Sequence, residues 1–463
     1  MRDRTRFVWI SVAVVVLLAS TIATRARAGG RASQPAVLRS QVSTDPGIAA
    51  GEAWVVTDPT DPQRVVVVWL GTRDSSNPVN LATASGYCGV ALSTDGGKKW
   101  SWKALPFKET TSPKPVSKTD DVPICGDPVA GVGPDGTLYT AAANVGSTSW
   151  TQGLTSIDHG WSWADPTEVF GATQLVNAAE GNPGHRTPAI AMGRAYMAVD
   201  PITGDVSVHS QEDGGVEGRW LAVSSDHGKT WSTPRPLDPD IQSSSAGPQS
   251  AAGGKIAVTY TVDTTSAEYH LSPTPVVTCP SGRTTCTVFE TTIDKGVTWT
   301  RHVMPFTGTP NGFSGQIVAA DPSHLGRFAV LFTTNSGQNL ETWVTPDSGT
   351  TWTRTNRFPA PPGESFTKPW IAYSPTGALG IVWRTPHGPT VDVRAIVSRD
   401  GGATFSNQVV LQSGIPASNS PVPGDDCACN LHLDATTLSA TWSDSSTGQR
   451  QIYYGRFDYT KLR

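Results

Sequence analysis

The chain has 463 residues, among them 46 Gly, 36 Pro and 16 Trp, and only 16% are charged. That balance argues against a helical or a disordered chain and for a turn-rich β protein. The formal net charge of −4 carries no cationic footprint for nucleic acid.

At the N-terminus Arg2, Arg4 and Arg6 precede an apolar run from Phe7 to Ala23, and Ala26-Arg27-Ala28 then supplies a small-x-small cleavage site. Residues 1–28 therefore read as an export signal. The run of about 17 residues is at the short end for a membrane span, so an uncleaved anchor is the alternative. These residues hold five Arg and one Asp; without them 30 basic residues face 38 acidic ones, a net charge of −8. Residues 29–35 read as a short linker and residues 36–463 as one domain. The expected location is secreted or extracytoplasmic, with membrane contact only through the N-terminal segment.

From the first strand pattern onward the chain repeats itself. Trp54-Val55-Val56, an Asp58-Pro59 turn, Arg64–Leu70 and Gly89–Ser93 lead into Ser93-Thr94-Asp95-Gly96-Gly97-Lys98-Lys99-Trp100. The pattern Ser/Thr-x-Asp-x-Gly-x-x-Trp/Phe recurs at Ser156–Trp163, Ser224–Trp231, Thr292–Trp299, Thr345–Trp352 and Ser398–Phe405, six copies in all. In a tight hairpin the Asp carboxylate accepts backbone N–H groups, the Gly allows positive φ and the aromatic packs on the sheet. Asp95, Asp158, Asp226, Asp294, Asp347 and Asp400 are thus expected to be structural, because a carboxylate engaged by backbone donors is a poor proton carrier.

Each copy closes a four-strand unit. In the third, Thr187–Val199 is the innermost strand, Asp200-Pro201 to Gly204 the turn, Val206–His209 the second strand and Trp220–Ser225 the third. The order recurs near residues 125, 247, 313 and 366. After the sixth copy, Asn430–Leu433, Leu438–Trp442 and Gln451–Phe457 give three more strands and no repeat turn. Ala36–Val42 is placed to donate the missing outer strand. An all-β propeller of seven four-stranded blades is favoured, with six blades as the alternative.

The repeat resembles the Asp-box, or BNR repeat, of the sialidase superfamily, and the likeness covers nearly everything from residue 52 onward. It implies a β-propeller and a glycan or glycoconjugate partner, with no cofactor. The enzymatic reading is an exo-acting glycoside hydrolase on terminal acidic sugars; the other is a non-catalytic extracellular propeller that binds glycan or protein. A sialidase following the family pattern grips a carboxylate with three Arg and uses an Asp acid/base and a Tyr nucleophile. The family's Phe/Tyr-Arg-Ile-Pro motif has no counterpart near residues 43–56. His185-Arg186-Thr187-Pro188 is the nearest match, with Glu212 or Asp213 on the next loop as an acid. Arg384 and Arg394 are further candidates for carboxylate contacts, and Tyr453 or Tyr454 for the nucleophile. The catalytic candidates are therefore Arg186, Asp213, Arg384 and Tyr454. A mouth lined by Gln249 and Gln316 would favour the binder.

Because the repeat turns join third to fourth strands, they all belong to one rim, and function is expected on the opposite rim. Its loops run through Thr72–Tyr87, Lys108–Cys125, Gly171–Arg186, Gln211–Arg219, Asp263–Cys286, Pro359–Lys368 and Gln412–Cys427.

Six Cys in an exported chain imply oxidation. Cys279 and Cys286 are expected to pair within one loop, and Cys88 with Cys125 between adjacent units. Cys427 and Cys429 leave open a strained Cys-x-Cys bridge, a bridge to Cys88 or Cys125, or a soft-metal cluster with His432. In a strand, residues 427 and 429 share a face that 432 does not, so no metal is expected. Neither a phosphate loop nor a serine-hydrolase elbow is visible.

Overall fold

Three strands after the last repeat require a fourth, and it comes from the N-terminal side of the chain. In the computed structural model, which describes residues 35–44, 49–72, 86–107, 125–144, 150–171, 192–212, 219–237, 247–265, 277–310, 316–417 and 430–462, β1 (Leu38–Gln41) pairs antiparallel with the last strand. Blade 1 comprises β2 to β5 (Ala49–Thr57, Val65–Thr72, Gly86–Ser93, Ser101–Ala104) and blade 2 comprises β6 to β9 (Gly126–Val132, Leu138–Asn144, Trp150–Ser156, Thr167–Phe170). Blade 3 is β10 to β13 (Met192–Val199, Val206–Glu212, Arg219–Ser224, Arg235–Pro236), and blade 4 is β14 to β17 (Ser250–Ala252, Lys255–Asp263, Thr285–Thr292, Thr300–Val303). Blade 5 is β18 to β21 (Gln316–Ala320, Phe328–Thr334, Asn339–Thr345, Thr353–Pro359), and blade 6 is β22 to β25 (Thr367–Tyr373, Leu379–His387, Thr390–Ser398, Val409–Pro416). Blade 7 takes β26 to β28 (Asn430–Leu433, Thr437–Asp444, Gln451–Asp458) and β1 outermost. The fold is therefore a seven-bladed all-β propeller, and the six-bladed alternative is excluded. Among the described residues there is no α-helix, only a 3-10 turn at Tyr459–Lys461, and no helix long and apolar enough to cross a membrane.

The six repeat turns share one hydrogen-bond plan. In the third copy the Asp226 carboxylate accepts the Ser224 hydroxyl (2.8 Å), the Thr230 N–H (2.9 Å) and the Thr230 hydroxyl (2.6 Å), while the Ser224 oxygen accepts the Gly228 N–H (2.9 Å). The Thr230 hydroxyl bond leads, burial opposes it, and together with the backbone bonds the set lowers Asp226 to about 2. Asp95 and Asp347 are lowered chiefly by the backbone N–H of Lys99 and of Thr351. In Asp158, Asp294 and Asp400 burial pushes upward and hydroxyl and backbone donors outweigh it. A carboxylate depressed in the folded state stabilises it fully above the unfolded value near 3.8 and loses that contribution as pH falls through the folded value. Thermal melts followed by near-ultraviolet circular dichroism are accordingly expected to show a falling Tm between about pH 4 and pH 2. An unchanged Tm across that window would contradict this role for the six carboxylates.

Two further positions of the repeat bind each blade to the one before it. The fourth residue reaches back: His159 Nδ1 lies 2.7 Å from Asp58 Oδ2, His227 Nδ1 lies 2.9 Å from the Tyr139 hydroxyl, and the Ser348 hydroxyl accepts Lys255 Nζ at 2.6 Å. The fifth is glycine for want of room as well as for its φ. A Cβ on Gly97 (φ 92°) would meet the Tyr454 ring at 2.2 Å, and one on Gly160 (φ 94°) would meet Leu92 at 2.6 Å.

The same logic shows that β1 is a true fourth strand. Trp231 of the third repeat donates its indole N–H to Thr167 on the outer strand of blade 2 (3.0 Å), and Thr167 donates to the Gly228 carbonyl (3.0 Å). Trp100 of the first repeat donates to Ser40 on β1 (2.9 Å), and Ser40 donates to the Gly97 carbonyl (2.5 Å). Arg39 reaches the other way, to the Leu411 and Val410 carbonyls of blade 6. The N-terminal strand is thereby fastened to both neighbours of its blade.

Two disulfides form as expected from the sequence, Cys88–Cys125 between blades 1 and 2 and Cys279–Cys286 from the β15–β16 loop to the start of β16. Such bridges persist in oxidising, extracytoplasmic compartments. Cys427 and Cys429 lie outside the described residues.

Candidate functional site

The inner strands all run from the loop-bearing end toward the repeat-turn end, so the first residues of β2, β6, β10 and β22 stand nearest the loops, at the mouth of the central tunnel that a ring of blades surrounds. All four contain a bulge there. Register shifts between Gly51 and Trp54 in β2, Gly126 and Val129 in β6, Met192 and Ala195 in β10, and Thr367 and Trp370 in β22. In three of them a charged residue takes a left-handed backbone: Glu52 (φ 53°), Asp127 (φ 46°) and Lys368 (φ 48°). A non-glycine residue held there costs about 1–3 kcal/mol, and bulges that re-aim a side chain concentrate beside functional sites. One strained charge is an incident; three at the same place in a ring are a pattern.

Two of the bulges adjoin an aromatic pair. Trp54 of blade 1 and Trp370 of blade 6 meet edge to face, with ring centroids 5.0 Å apart and planes at 79°. Each follows its bulge residue by two positions, so Glu52 and Lys368 stand about 7 Å farther along the strand toward the loops. Between these blades the Asn430 Oδ1 of blade 7 accepts the Val55 N–H at 2.9 Å. Glu52 is buried, at 5% exposure, while Asp127 and Lys368 are half-buried. The Cys88–Cys125 bridge ends two residues before Asp127 and ties that bulge to β4 of blade 1. Two acidic residues and one basic residue, each with an interaction of its own, thus stand at the loop-bearing ends of three inner strands, and a placed carboxyl group is the kind of side chain that exchanges a proton with a ligand.

The sequence-derived candidates fall in several places. Arg186 and Asp213 lie outside the described residues. Arg384 is buried on β23, opposite Thr367 at the β22 bulge, and its backbone carbonyl accepts the Thr367 hydroxyl at 3.3 Å. Arg394 is committed to ion pairs with Asp392 (3.0 Å) and Glu364 (3.3 Å). Tyr454 requires a correction. It is fully buried where blade 7 packs on the first repeat turn, its ring is 5.2 Å from Trp100, and its hydroxyl shares a 2.8 Å bond with Ser439. Burial pushes it up to about 12, so it fills a blade junction at the wrong end for a nucleophile. Tyr453 is half-buried and bonds Gln41 on β1 at 3.4 Å.

Gln249 is also used internally, its amide donating to the Tyr196 (3.1 Å) and Ser207 (3.0 Å) carbonyls, and Gln316 is fully buried. His432 is half-buried on β26, and desolvation lowers it to about 4. Among the described residues no group of three His, Cys, Asp or Glu is placed to hold a metal. Glu52, Asp127 and Lys368 were not singled out from the sequence. The available signal was an acidic or basic residue before Pro at two inner-strand entries, Asp127-Pro128 and Lys368-Pro369.

No family model matches the chain, and no curated protein matches it. Among solved structures it is similar to a Hadza microbial sialidase (14% identity, TM-score 0.47, 92% of this chain and 96% of that one). It is also similar to Trypanosoma rangeli sialidase in complex with the inhibitor DANA (12%, 0.47, 90% and 75%) and to the GH93 α-L-arabinofuranosidase of Fusarium graminearum with arabinobiose (11%, 0.43, 92% and 98%).

Proposed function

We propose that this chain is an extracytoplasmic glycoside hydrolase built on an Asp-box propeller, removing terminal acidic sugars at the tunnel mouth opposite the repeat turns. The observation that carries the reading is the pair of strained acidic residues, Glu52 and Asp127, at the bulges of the neighbouring inner strands β2 and β6. Glycoside hydrolysis needs two carboxyl groups flanking the scissile bond, one to protonate the departing oxygen and one to act as base or nucleophile. The half-buried Asp127 is the proposed acid and the buried Glu52 its partner. Lys368, Arg384 and Arg186 are the proposed grips for the substrate carboxylate, and Asp213 an accessory acid. Glu52 stands ahead of the first repeat, where the family pattern has an Arg, so the carboxylate grip is moved to blade 6. That departure favours, as the second reading, a propeller that binds glycan without cleaving it.

The experiment is hydrolysis of a fluorogenic sialoside, a uronide and a neutral arabinoside by the purified protein, alongside Arg384→Gln. Cleavage of an acidic glycoside, with KM raised on the order of tenfold in Arg384→Gln and kcat little changed, is expected from loss of one charged contact. Cleavage of none of the three would remove the hydrolase reading.

A further inference from the structure

A polar cavity lies on the flank of blade 5, lined by none of the residues at the tunnel mouth. It has a volume of about 480 Å³ and is walled by β20 and β21 and by the segment leaving blade 4 at Pro305–Gly308. Its chemistry arises from a register shift. Glu341 pairs with Arg357 and Trp343 with Arg354, with one extra residue on β21 between them. Residues three apart in a regular strand point to opposite faces, and the bulge brings Arg354 and Arg357 to the same one.

There the Glu341 carboxylate, 9% exposed, lies 3.3 Å from Arg357 Nε and 3.8 Å from Arg354 Nη1, and accepts the Trp343 indole N–H at 3.4 Å. Arg357 Nε also bonds Asn339 at 3.2 Å, and Arg354 lies over the Trp343 ring at 5.9 Å. Phe306 meets the Trp343 ring edge-on and stacks on Phe332, which fixes the wall from behind. One buried carboxylate thus holds two guanidiniums that remain about half exposed, at 48% and 49%. A surplus positive charge is left facing the groove, and among the described residues the Arg357 amino groups donate no hydrogen bond.

Paired guanidiniums held in this way match a planar carboxylate. The rest of the lining, including Thr307 and Asn335, offers hydroxyl and amide groups suited to sugar hydroxyls, in a volume typical of small-ligand sites. We infer that this groove binds a carboxylate-bearing sugar, a uronic acid unit of a glycan, at a site separate from the tunnel mouth. The inference does not depend on hydrolysis.

The test is titration of the full chain with glucuronic acid, glucose and acetate, read by Trp fluorescence and calorimetry, in wild type, Arg357→Gln, Arg354→Gln and Arg384→Gln. Saturable binding of glucuronic acid is expected, at least tenfold tighter than glucose or acetate. It should weaken at least tenfold in Arg357→Gln and in Arg354→Gln and stay unchanged in the tunnel-mouth variant Arg384→Gln. Melting curves identify a variant that fails to fold, in which case the other groove variant decides. Glucose or acetate binding as tightly as glucuronic acid would overturn the inference, as would loss of binding in Arg384→Gln alone.

Discussion

A chain beginning at residue 43 is expected to lose cooperative folding, although it keeps six complete blades and three strands of the seventh. What it loses is the closure. β1 supplies the ladder from Leu38↔Arg456 to Gln41↔Tyr453, the fully buried Val42, and Ser40, which accepts the Trp100 indole N–H. Net ladder hydrogen bonds contribute about 0.5–1.5 kcal/mol each, and an orphaned buried donor costs about 1–3 kcal/mol. Together these approach the roughly 5–15 kcal/mol by which a folded protein is stable at all. The truncation also bares β28 as an open edge, which invites pairing with other chains. Melting and size-exclusion profiles of chains starting at 35 and at 43 check this: the shorter should melt broadly or aggregate. Ser40→Ala alone should cost about 1 kcal/mol, as removal of a part-buried hydrogen-bond link. A Tm for the truncated chain within a few degrees of the longer one would show that the ring closes without β1.

How much of this is legible in the sequence depends on the range of the interaction. The repeat turns are legible because their bonds lie within eight residues: Asp226 is satisfied by Ser224 and Thr230, so the pattern that makes the turn is the pattern that is read. The closing strand is legible by counting, since the three strands left after blade 6 need a fourth. Tyr454 shows the limit. Alternation assigns it a face of β28 but not the end of the blade, and the close approach of Gly97, far away in sequence, places it in a junction.

The bulges are harder still. That Glu52, Asp127 and Lys368 stand at equivalent points is a matter of register with β3, β7 and β23, which no local pattern encodes; the two Pro that follow Asp127 and Lys368 were the only trace. In the blade 5 groove the sequence misleads outright. Arg354 and Arg357 are spaced for opposite faces, and only the shift between Thr342 and Trp343 unites them around Glu341.

The tunnel-mouth carboxylates are where the functional account stands or falls, and the decisive comparison is turnover by Glu52→Gln and Asp127→Asn against wild type, on whichever acidic glycoside the wild type cleaves. Both substitutions keep size and shape, and Asn tolerates the left-handed backbone that Asp127 adopts, so Tm and near-ultraviolet circular dichroism should hold. General acid or base catalysis by a placed side chain contributes typically 10²–10⁴-fold, and kcat should fall by about that factor in each variant with KM little changed. Folded variants that both turn over at the wild-type rate would contradict the assignment of chemistry to this end of the propeller.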